Sequence, residues 1–260
     1  MTDSPGKTAL VTGASAGIGR DLAELFAREG HHLVLTARNE PQLRELAAKL
    51  RDRYRVNVEV IVRDLSVADG PQRILDSLQS KTIDYLVNNA GFGTHGPFAE
   101  ADLSAQLGML QVNVAALTHL TRLFLPGMLK RGSGRIMNVA SVAAFAPGPL
   151  KAVYYASKAY VLSFSEALAN ELAGSGVTVT ALCPGPTKTE FQRRAGIEDS
   201  LLFKMRMMDS MTAARIGYRA MMRGRRSIVT GFSNKLSAFS TRLVPRRTTT
   251  AVARWLNENR

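Results

Sequence analysis

The segment VYYASKAY, residues 153–160, places three tyrosines and a serine around one lysine. Residues three and four apart on a helix are neighbours, so Tyr154 and Tyr155 can both reach the ammonium group of Lys158. A free phenol has a pKa near 10, and a nearby positive charge favours the phenolate. A tyrosine beside this lysine can therefore exchange a proton with a substrate, but the spacing does not select one of the two.

Strand-like runs alternate with amphipathic helical patterns along the chain and must position this segment. The helical patterns span about 20–29, 41–53, 103–130 and 152–173. This alternation predicts an α/β fold, a single domain (1–260) with a doubly wound parallel sheet of about seven strands and helices on both faces. The apolar runs are typical of strands buried on both faces and lie at 7–12, 32–37, 56–62, 83–88, 135–140, 177–183 and 227–231.

A glycine-rich turn, LVTGASAGIGR, follows the first strand and opens the first helix. Gly13, Gly17 and Gly19 fall where a tight turn meets the helix N-terminus. Glycines there let the backbone approach a pyrophosphate, and the free N–H groups and the helix dipole favour its negative charge. Because strand, turn and helix arrive in the required order, this turn predicts dinucleotide binding.

Read in order, the motifs over about residues 7–190 resemble those of the short-chain dehydrogenase/reductase family. They are TGASAGIG (12–19), DL (64–65), NNAG (88–91), Asn113, Ser141, YYASK (154–158) and PGPTKT (184–189). The resemblance implies a single-domain Rossmann fold, hydride transfer between a nicotinamide dinucleotide and a carbonyl or alcohol, and a homodimer or homotetramer formed through the long helices. The alternative is a dinucleotide-binding regulatory or interaction protein with little turnover.

The family's Tyr-x-x-x-Lys pattern selects Tyr154 with Lys158 as the proton-transferring pair. Lowering the pKa of a phenol by about 3 units takes roughly 4 kcal/mol, which one close ammonium in a partly desolvated cleft can supply. The resemblance makes Ser141 the hydroxyl that polarises the carbonyl. It also makes Asn113 the residue that kinks its helix and extends the proton path from Lys158. Tyr155 and Tyr160 are then expected to serve in packing.

The resemblance also implies a set of cofactor contacts at the carboxyl ends of the strands. The residues expected to bind the dinucleotide are Gly13, Ser15, Gly17, Ile18, Gly19, Arg38, Asp64, Leu65, Asn89, Ala90, Gly91, Tyr154, Lys158, Pro184, Gly185, Thr187 and Thr189. Within PGPTKT, Lys188 is expected to be a solvated surface residue.

The end of the second strand, LVLTARNE, predicts a preference for NADP(H) over NAD(H). Family members that prefer NAD place an acidic residue at this strand end, whereas here the position is Ala37, flanked by Thr36 and Arg38. The planar guanidinium of Arg38 suits a phosphate. Glu40, two residues on, could instead neutralise Arg38 or meet the ribose.

Two segments vary from a minimal family member. Residues 190–215, rich in leucine and methionine, lie where the family places a substrate lid, and such adaptable side chains suit a lipophilic carbonyl substrate. In the tail, 232–260, Leu236, Phe239 and Leu243 share a helical face surrounded by lysine and arginine. The tail is expected to serve as a subunit contact or surface element, or as a contact with an anionic membrane surface. No nucleic-acid binding is expected, because aromatic residues interleaved with the basic ones and any known binding motif are missing.

Composition limits the remaining possibilities. The formal charge is +13, and residues 191–260 contribute +11 of it, with 15 basic and 4 acidic residues. The single cysteine, Cys183, is expected to be buried and cannot form an internal disulfide, which fits a reducing compartment. No apolar run reaches the roughly 20 residues of a membrane span. The N-terminal MTDSPGKTAL shows no signal-peptide core and runs straight into a strand-like segment, so a cytoplasmic location is expected. Four scattered histidines predict no metal site.

Overall fold

The structure is a computed structural model, and it describes residues 6–79, 81–188 and 207–258. Within these ranges one central sheet of seven parallel strands has the order β3-β2-β1-β4-β5-β6-β9. The strands are β1 (Thr8–Thr12), β2 (His32–Ala37), β3 (Val58–Val62), β4 (Tyr85–Asn88), β5 (Gly134–Val139), β6 (Val177–Cys183) and β9 (Ser227–Val229), with β7 (Thr187–Lys188) and β8 (Met208–Asp209) forming a separate parallel pair.

Helices cover both faces of the sheet. They are α1 (Gly17–Arg28), α2 (Glu40–Tyr54), α3 (Gly70–Ser77), α4 (Leu103–Leu110), α5 (Leu117–Lys130), α6 (Ala152–Glu171), α7 (Ser210–Met222), α8 (Phe232–Ser240) and α9 (Arg246–Asn257). The predicted doubly wound α/β fold is confirmed, because the seven strands are those expected from the sequence, with ends shifted by at most a few residues. The sequence patterns did not indicate α3 or the short pair of β7 and β8.

The core has a separate layer on each face of the sheet. One layer packs α1, α2 and α7 around Leu22, Phe26 and Tyr85, all at most 1 % exposed. The other packs α3, α5 and α6 against side chains such as Leu86 and Ile136, which are fully buried. Because helices cover both faces of the central strands, side-chain packing holds each strand from two sides. The carboxyl ends of the strands are thereby fixed at one edge.

A buried polar network ties β4 and β5 to the helices beneath that edge. The Asn88 side-chain amide donates to Thr121 Oγ1 at 3.0 Å and to Asn138 Oδ1 at 2.9 Å. The Asn138 amide donates to Ser165 Oγ at 2.9 Å, which itself donates to the Val161 carbonyl at 2.6 Å. Buried polar groups are costly unless they are paired, so this network fixes α5 and α6 against specific strands.

Candidate functional site

Ser141, Tyr154 and Lys158 come together at the carboxyl ends of β5 and β6. Ser141 follows β5, and its hydroxyl accepts from the Ala143 N–H at 3.1 Å, which starts a short 3₁₀ turn. The same hydroxyl is hydrogen-bonded to the Tyr154 phenol. Lys158 Nζ donates to the Val139 carbonyl at 2.8 Å and lies 5.9 Å from the centroid of the Tyr154 ring.

The ionisation of this pair differs from the sequence-based expectation. Burial raises the pKa of Tyr154 to about 12, against the smaller lowering effect of its hydrogen bond to Ser141. The expectation of a lowered phenol pKa is therefore wrong for the protein by itself, since desolvation disfavours the phenolate. The Tyr154 side chain keeps partial contact with solvent. Burial also lowers the pKa of Lys158 to about 8.

Asn113 lies in a π-helical turn, Gln111–Ala116, between α4 and α5. Its side chain is 1 % exposed. Its Oδ1 accepts from the Phe92 N–H at 3.1 Å, and its amide donates to the Phe92 carbonyl at 3.0 Å and to Ser157 Oγ at 3.1 Å. The structure thus places the expected irregularity in the helix at this residue, and Asn113 joins the loop after β4 to α6.

Gly91 lies where the loop after β4 passes the catalytic side chains. A methyl group at this position would lie 2.9 Å from Asn113 Oδ1 and 3.4 Å from Lys158 Nζ. Contacts this close leave no room for any larger residue. The absence of a side chain lets the backbone lie directly against Asn113 and Lys158, so all four predicted catalytic residues meet within one small region.

The glycine-rich turn and the NNAG segment are hydrogen-bonded to each other. Thr12 Oγ1 accepts from the N–H groups of Asn89 and Ala90 at 3.0 and 2.9 Å. The Asn89 amide donates to the carbonyls of Thr12 and Gly13 at 3.0 and 3.1 Å. The sequence analysis assigned no separate role to Thr12, the first residue of the TGASAGIG motif. Its position, a hydroxyl directly before the first glycine of the turn, is the signal that could have predicted these hydrogen bonds.

The N-terminus of α1 fits the pyrophosphate of a dinucleotide. Ala16 precedes the helix and gives it no side-chain cap, so the first N–H groups keep their donors for an anion. Gly13 has a φ of +63°, and a methyl group there would lie 2.9 Å from the Ala90 Cα. A methyl group at Gly19 would collide with the Asn89 amide and the Gly13 carbonyl. The turn therefore needs glycine at both places.

Arg38 and Asp64 follow the neighbouring strands β2 and β3. Arg38 Nη1 lies 3.9 Å from Asp64 Oδ2, and the two side chains are 65 % and 40 % exposed. Glu40, which could have neutralised Arg38, instead holds Arg44 through an ion pair of 2.6 Å. The contact of Arg38 with Asp64 is therefore long and exposed to solvent. Leu65, which follows Asp64 in the chain, is buried at 7 % exposure.

The PGPTKT segment follows β6 and is braced by the tail. Gly185 N–H donates to Thr230 Oγ1 at 3.3 Å, and Thr187 Oγ1 donates to the Gly185 carbonyl at 2.8 Å. A methyl group at Gly185 would collide with the Asn234 amide at the start of α8. Pro184 is buried and Lys188 exposed as expected, while Thr189 lies outside the described residues.

The lid segment, residues 190–215, is only partly described. Residues 190–206 lie outside the described ranges, so a lid there stays a prediction. Residues 210–215 form the first turns of α7, where Ala213 and Ala214 are fully buried against the core. Asp209 Oδ1 caps this helix by accepting from the Thr212 N–H at 2.8 Å.

The remaining sequence-based expectations concern single residues. Cys183 is fully buried, as predicted. Tyr155 packs its ring over Gly148, also as predicted, whereas Tyr160 is 40 % exposed and stacks on Phe164 at the surface of α6. Among the residues that the structure describes, no three His, Cys, Asp or Glu side chains form a group able to hold a metal ion.

Comparison with known proteins decides the family. The family model described as short chain dehydrogenase matches residues 7–199. The chain belongs to the short-chain dehydrogenase family. The matched region of this short-chain dehydrogenase contains the four predicted catalytic residues and the glycine-rich turn.

Solved structures resemble this short-chain dehydrogenase over nearly the whole chain. A short-chain dehydrogenase from Sphingobium yanoikuyae in complex with NADPH is 34 % identical, with a TM-score of 0.82 over 91 % of this chain and 93 % of its own. A bulky-bulky ketone specific alcohol dehydrogenase from Comamonas testosteroni is 30 % identical, with a TM-score of 0.79 over 92 % and 94 %. A family member from Burkholderia phymatum in complex with NAD is 27 % identical, with a TM-score of 0.84 over 100 % and 99 %.

Replacement of Tyr154 by phenylalanine tests the selection between the two tyrosines. Tyr154→Phe removes the proton donor and should lower oxidoreductase turnover by ~10²–10⁴-fold. The dissociation constant of NADPH, measured by fluorescence titration, should change less than about threefold, because Ser141, Lys158 and the glycine-rich turn are retained. Tyr155→Phe is the matched comparison and should lose far less turnover, because it keeps the Tyr154 phenol. Turnover that survives in Tyr154→Phe and is lost in Tyr155→Phe would reverse the assignment.

Proposed function

We propose that the protein is an NADP(H)-dependent reductase of lipophilic carbonyl compounds. The observation that carries the proposal is the Tyr154 phenol, hydrogen-bonded to Ser141 and raised in pKa by burial. A phenol that stays protonated at neutral pH is a proton donor, which is the role required when a carbonyl is reduced to an alcohol. The complete set of Asn113, Ser141, Tyr154 and Lys158 argues against a regulatory protein without turnover.

Each residue of the group has a distinct task in this reaction. Ser141 donates a hydrogen bond to the carbonyl oxygen, and Tyr154 gives that oxygen its proton as negative charge develops there. The buried ammonium of Lys158 offsets the charge left on the phenol. Asn113 holds the loop after β4 against α6, which keeps the group in place. When bound, the dinucleotide supplies the hydride from its nicotinamide. The glycine-rich turn, Asn89 and Lys158 would hold this dinucleotide.

Two features support an apolar substrate. Met207, Met208 and Met211, which belong to the leucine- and methionine-rich segment 190–215, are partly buried near the β7–β8 pair. Methionine side chains adapt to irregular apolar surfaces. The similar structure from Comamonas testosteroni is named for bulky ketones.

The exposed contact of Arg38 with Asp64 supports a preference for NADP(H). Since Glu40 is engaged by Arg44, the one ion pair of Arg38 within the described part of the chain is the 3.9 Å contact with Asp64, and this pair is given up when the guanidinium binds a phosphate. A charge-assisted contact is worth ~1.5–3 kcal/mol. Because this site is open to solvent, we take the lower end, which corresponds to roughly tenfold in affinity at ~1.4 kcal/mol per decade.

We assign two surfaces to two different partners. The first is the outer face of α4, where Leu103, Leu107 and Leu110 are 64, 56 and 38 % exposed. It is the surface that we assign to a second copy of the chain in a homodimer or homotetramer. The second is the outer face of the tail, which we assign to an anionic membrane surface on the cytoplasmic side.

The outer face of the tail combines apolar side chains with positive charge. Along α8 and the turn that follows, large apolar residues recur at helical spacing and point away from the buried Ala238. They are Phe232, Leu236, Phe239 and Leu243, at 84, 60, 55 and 74 % exposure. Lys235, Arg242, Arg246 and Arg247 are also exposed. A symmetric contact with a second copy would bring these cations together, whereas anionic lipid headgroups complement them. No described helix is long and apolar enough to cross a membrane.

Turnover of a carbonyl panel with NADPH tests the function. We expect reduction of bulky apolar ketones, with kcat/KM decreasing as pH rises through about 8. Lys158 has a lowered pKa of about 8 and loses its charge there, while Tyr154, at about 12, stays protonated. Oxidation of the product alcohol needs the deprotonated phenol and should instead rise with pH. NADPH binding without turnover of any apolar or polar carbonyl would contradict the function, and a flat profile to pH 10 would contradict the role of Lys158.

The cofactor preference is tested by Arg38→Ala. The ratio of the NADH to the NADPH dissociation constant should be about ten in the unmodified protein and should approach one in the variant. Arg44→Ala, which removes a neighbouring arginine already paired with Glu40, is the control and should leave the ratio unchanged. Equal affinities in the unmodified protein, or the same ratio in Arg38→Ala, would refute the preference.

Vesicle binding tests the surface of the tail. Trp255 on α9 is the single tryptophan of the chain and is half exposed, so its emission reports on the tail. With phosphatidylglycerol vesicles we expect sedimentation that weakens with salt and an emission shift to shorter wavelength. Lys235→Glu with Arg242→Glu should lower binding at least tenfold, whereas Lys49→Glu with Arg223→Glu should not. Equal binding to phosphatidylcholine, or none to either, would exclude the membrane surface.

A further inference from the structure

Asn257, at the C-terminal end of α9, is fully buried although most of that helix faces solvent. Its amide donates to the Pro149 carbonyl at 3.0 Å and lies 3.3 Å from the Tyr155 hydroxyl, whose distance to Asn257 Oδ1 is 3.4 Å. His95 Nε2 donates to the Asn257 backbone carbonyl at 2.8 Å. One residue near the end of the described chain therefore contacts three segments that are remote in sequence.

Two of these segments are loops at the carboxyl edge of the sheet. The β4 loop (residues 89–97) carries Gly91 and His95, and the β5 loop (residues 146–151) leads directly into α6. The Gly96 N–H donates to the Leu150 carbonyl at 2.8 Å, so the loops are joined beside Asn257. Leu150 has a φ of +66°, a conformation that is costly for leucine and that persists only when its surroundings impose it.

The third segment is the first turn of α6, which carries Tyr154. Tyr155 follows Tyr154 in this turn, and the two rings meet at 6.2 Å in a T-shaped arrangement. The Tyr155 ring also lies over Gly148 of the β5 loop, where a methyl group would collide with it. Asn257 and Tyr155 together therefore fix the orientation of the turn from which the Tyr154 phenol projects.

We propose that Asn257 is a positioning residue for the active site. Its hydrogen bonds join the β4 loop, the β5 loop and the first turn of α6, and so hold Tyr154 in the geometry required for proton transfer. A shift of about 1 Å in a reacting group can cost on the order of 10²-fold in rate. The contacts of Asn257 can therefore affect catalysis although this residue does not touch the substrate. The proposal makes the tail part of the catalytic architecture and rests on the proposed reductase function.

Two variants separate positioning from general stability. Asn257→Ala removes the side-chain contacts with Pro149 and Tyr155, and Thr248→Ala, on the exposed part of α9, is the matched control. With NADPH saturating and an apolar ketone from the panel, Asn257→Ala should lower kcat about tenfold. Its NADPH dissociation constant should stay within about twofold, and the protein should remain folded at the assay temperature. Tyr155→Phe should lower kcat less, and its effect should not add to that of Asn257→Ala.

Hydrogen exchange measured by mass spectrometry gives a readout that does not need activity. In Asn257→Ala, peptides covering 91–97 and 146–155 should exchange faster, including the Gly96 amide held by Leu150. Thr248→Ala should leave both unchanged. Three outcomes in Asn257→Ala would each contradict the positioning role of Asn257. They are faster exchange confined to the tail, an unchanged kcat, and a loss of NADPH affinity in parallel with kcat. If the unmodified protein reduces no carbonyl, the proposed reductase function fails, and the exchange of the two loops still decides whether Asn257 holds them.

Discussion

A buried amide must find partners for its donors and its acceptor, and the architecture of the site depends on how Asn113 does so. The π-helical turn between α4 and α5 brings this side chain to the Phe92 backbone and to Ser157. Those contacts fix the loop after β4 on one side and α6 on the other. Since α6 carries Tyr154 and Lys158, the satisfaction of one amide links the helical layer to the catalytic group. The irregular turn coincides with the residue whose amide makes these contacts.

Desolvation controls the chemistry of the same region. The fold withdraws Tyr154 and Lys158 from water, which raises the pKa of the phenol and lowers that of the amine. Both shifts favour the neutral forms, so the phenol holds its proton while the lysine titrates within the accessible pH range. The two effects have the same origin, and together they make the site better suited to supplying a proton than to removing one.

The sequence predicted the sheet because buried parallel strands are almost continuously apolar, and it predicted the catalytic group because its motif residues are ordered along the chain. Other features arise only from tertiary packing. Nothing local to Asn257 or Asn234 shows that their amides reach the β5 loop and Gly185. The direction of the Tyr154 pKa shift was also missed, since spacing reveals the neighbouring ammonium but not the burial of the phenol. The β7–β8 pair, with two residues in each strand, is too short to leave a periodic pattern.

The small β7–β8 pair has a consequence for how the chain can diversify. Thr187 lies opposite Met208 and Lys188 opposite Asp209, so the described residues on either side of 189–206 are held about one strand spacing apart. The entropy of closing a loop between fixed ends rises by only about 0.6 kcal/mol for each doubling of its length. A change in the number of residues between these fixed ends therefore costs little free energy and need not disturb the sheet. The hydrogen-bonded pair of β7 and β8 thus lets the chain between them change in length or sequence while the seven-stranded sheet and the side chains at its carboxyl edge keep their positions.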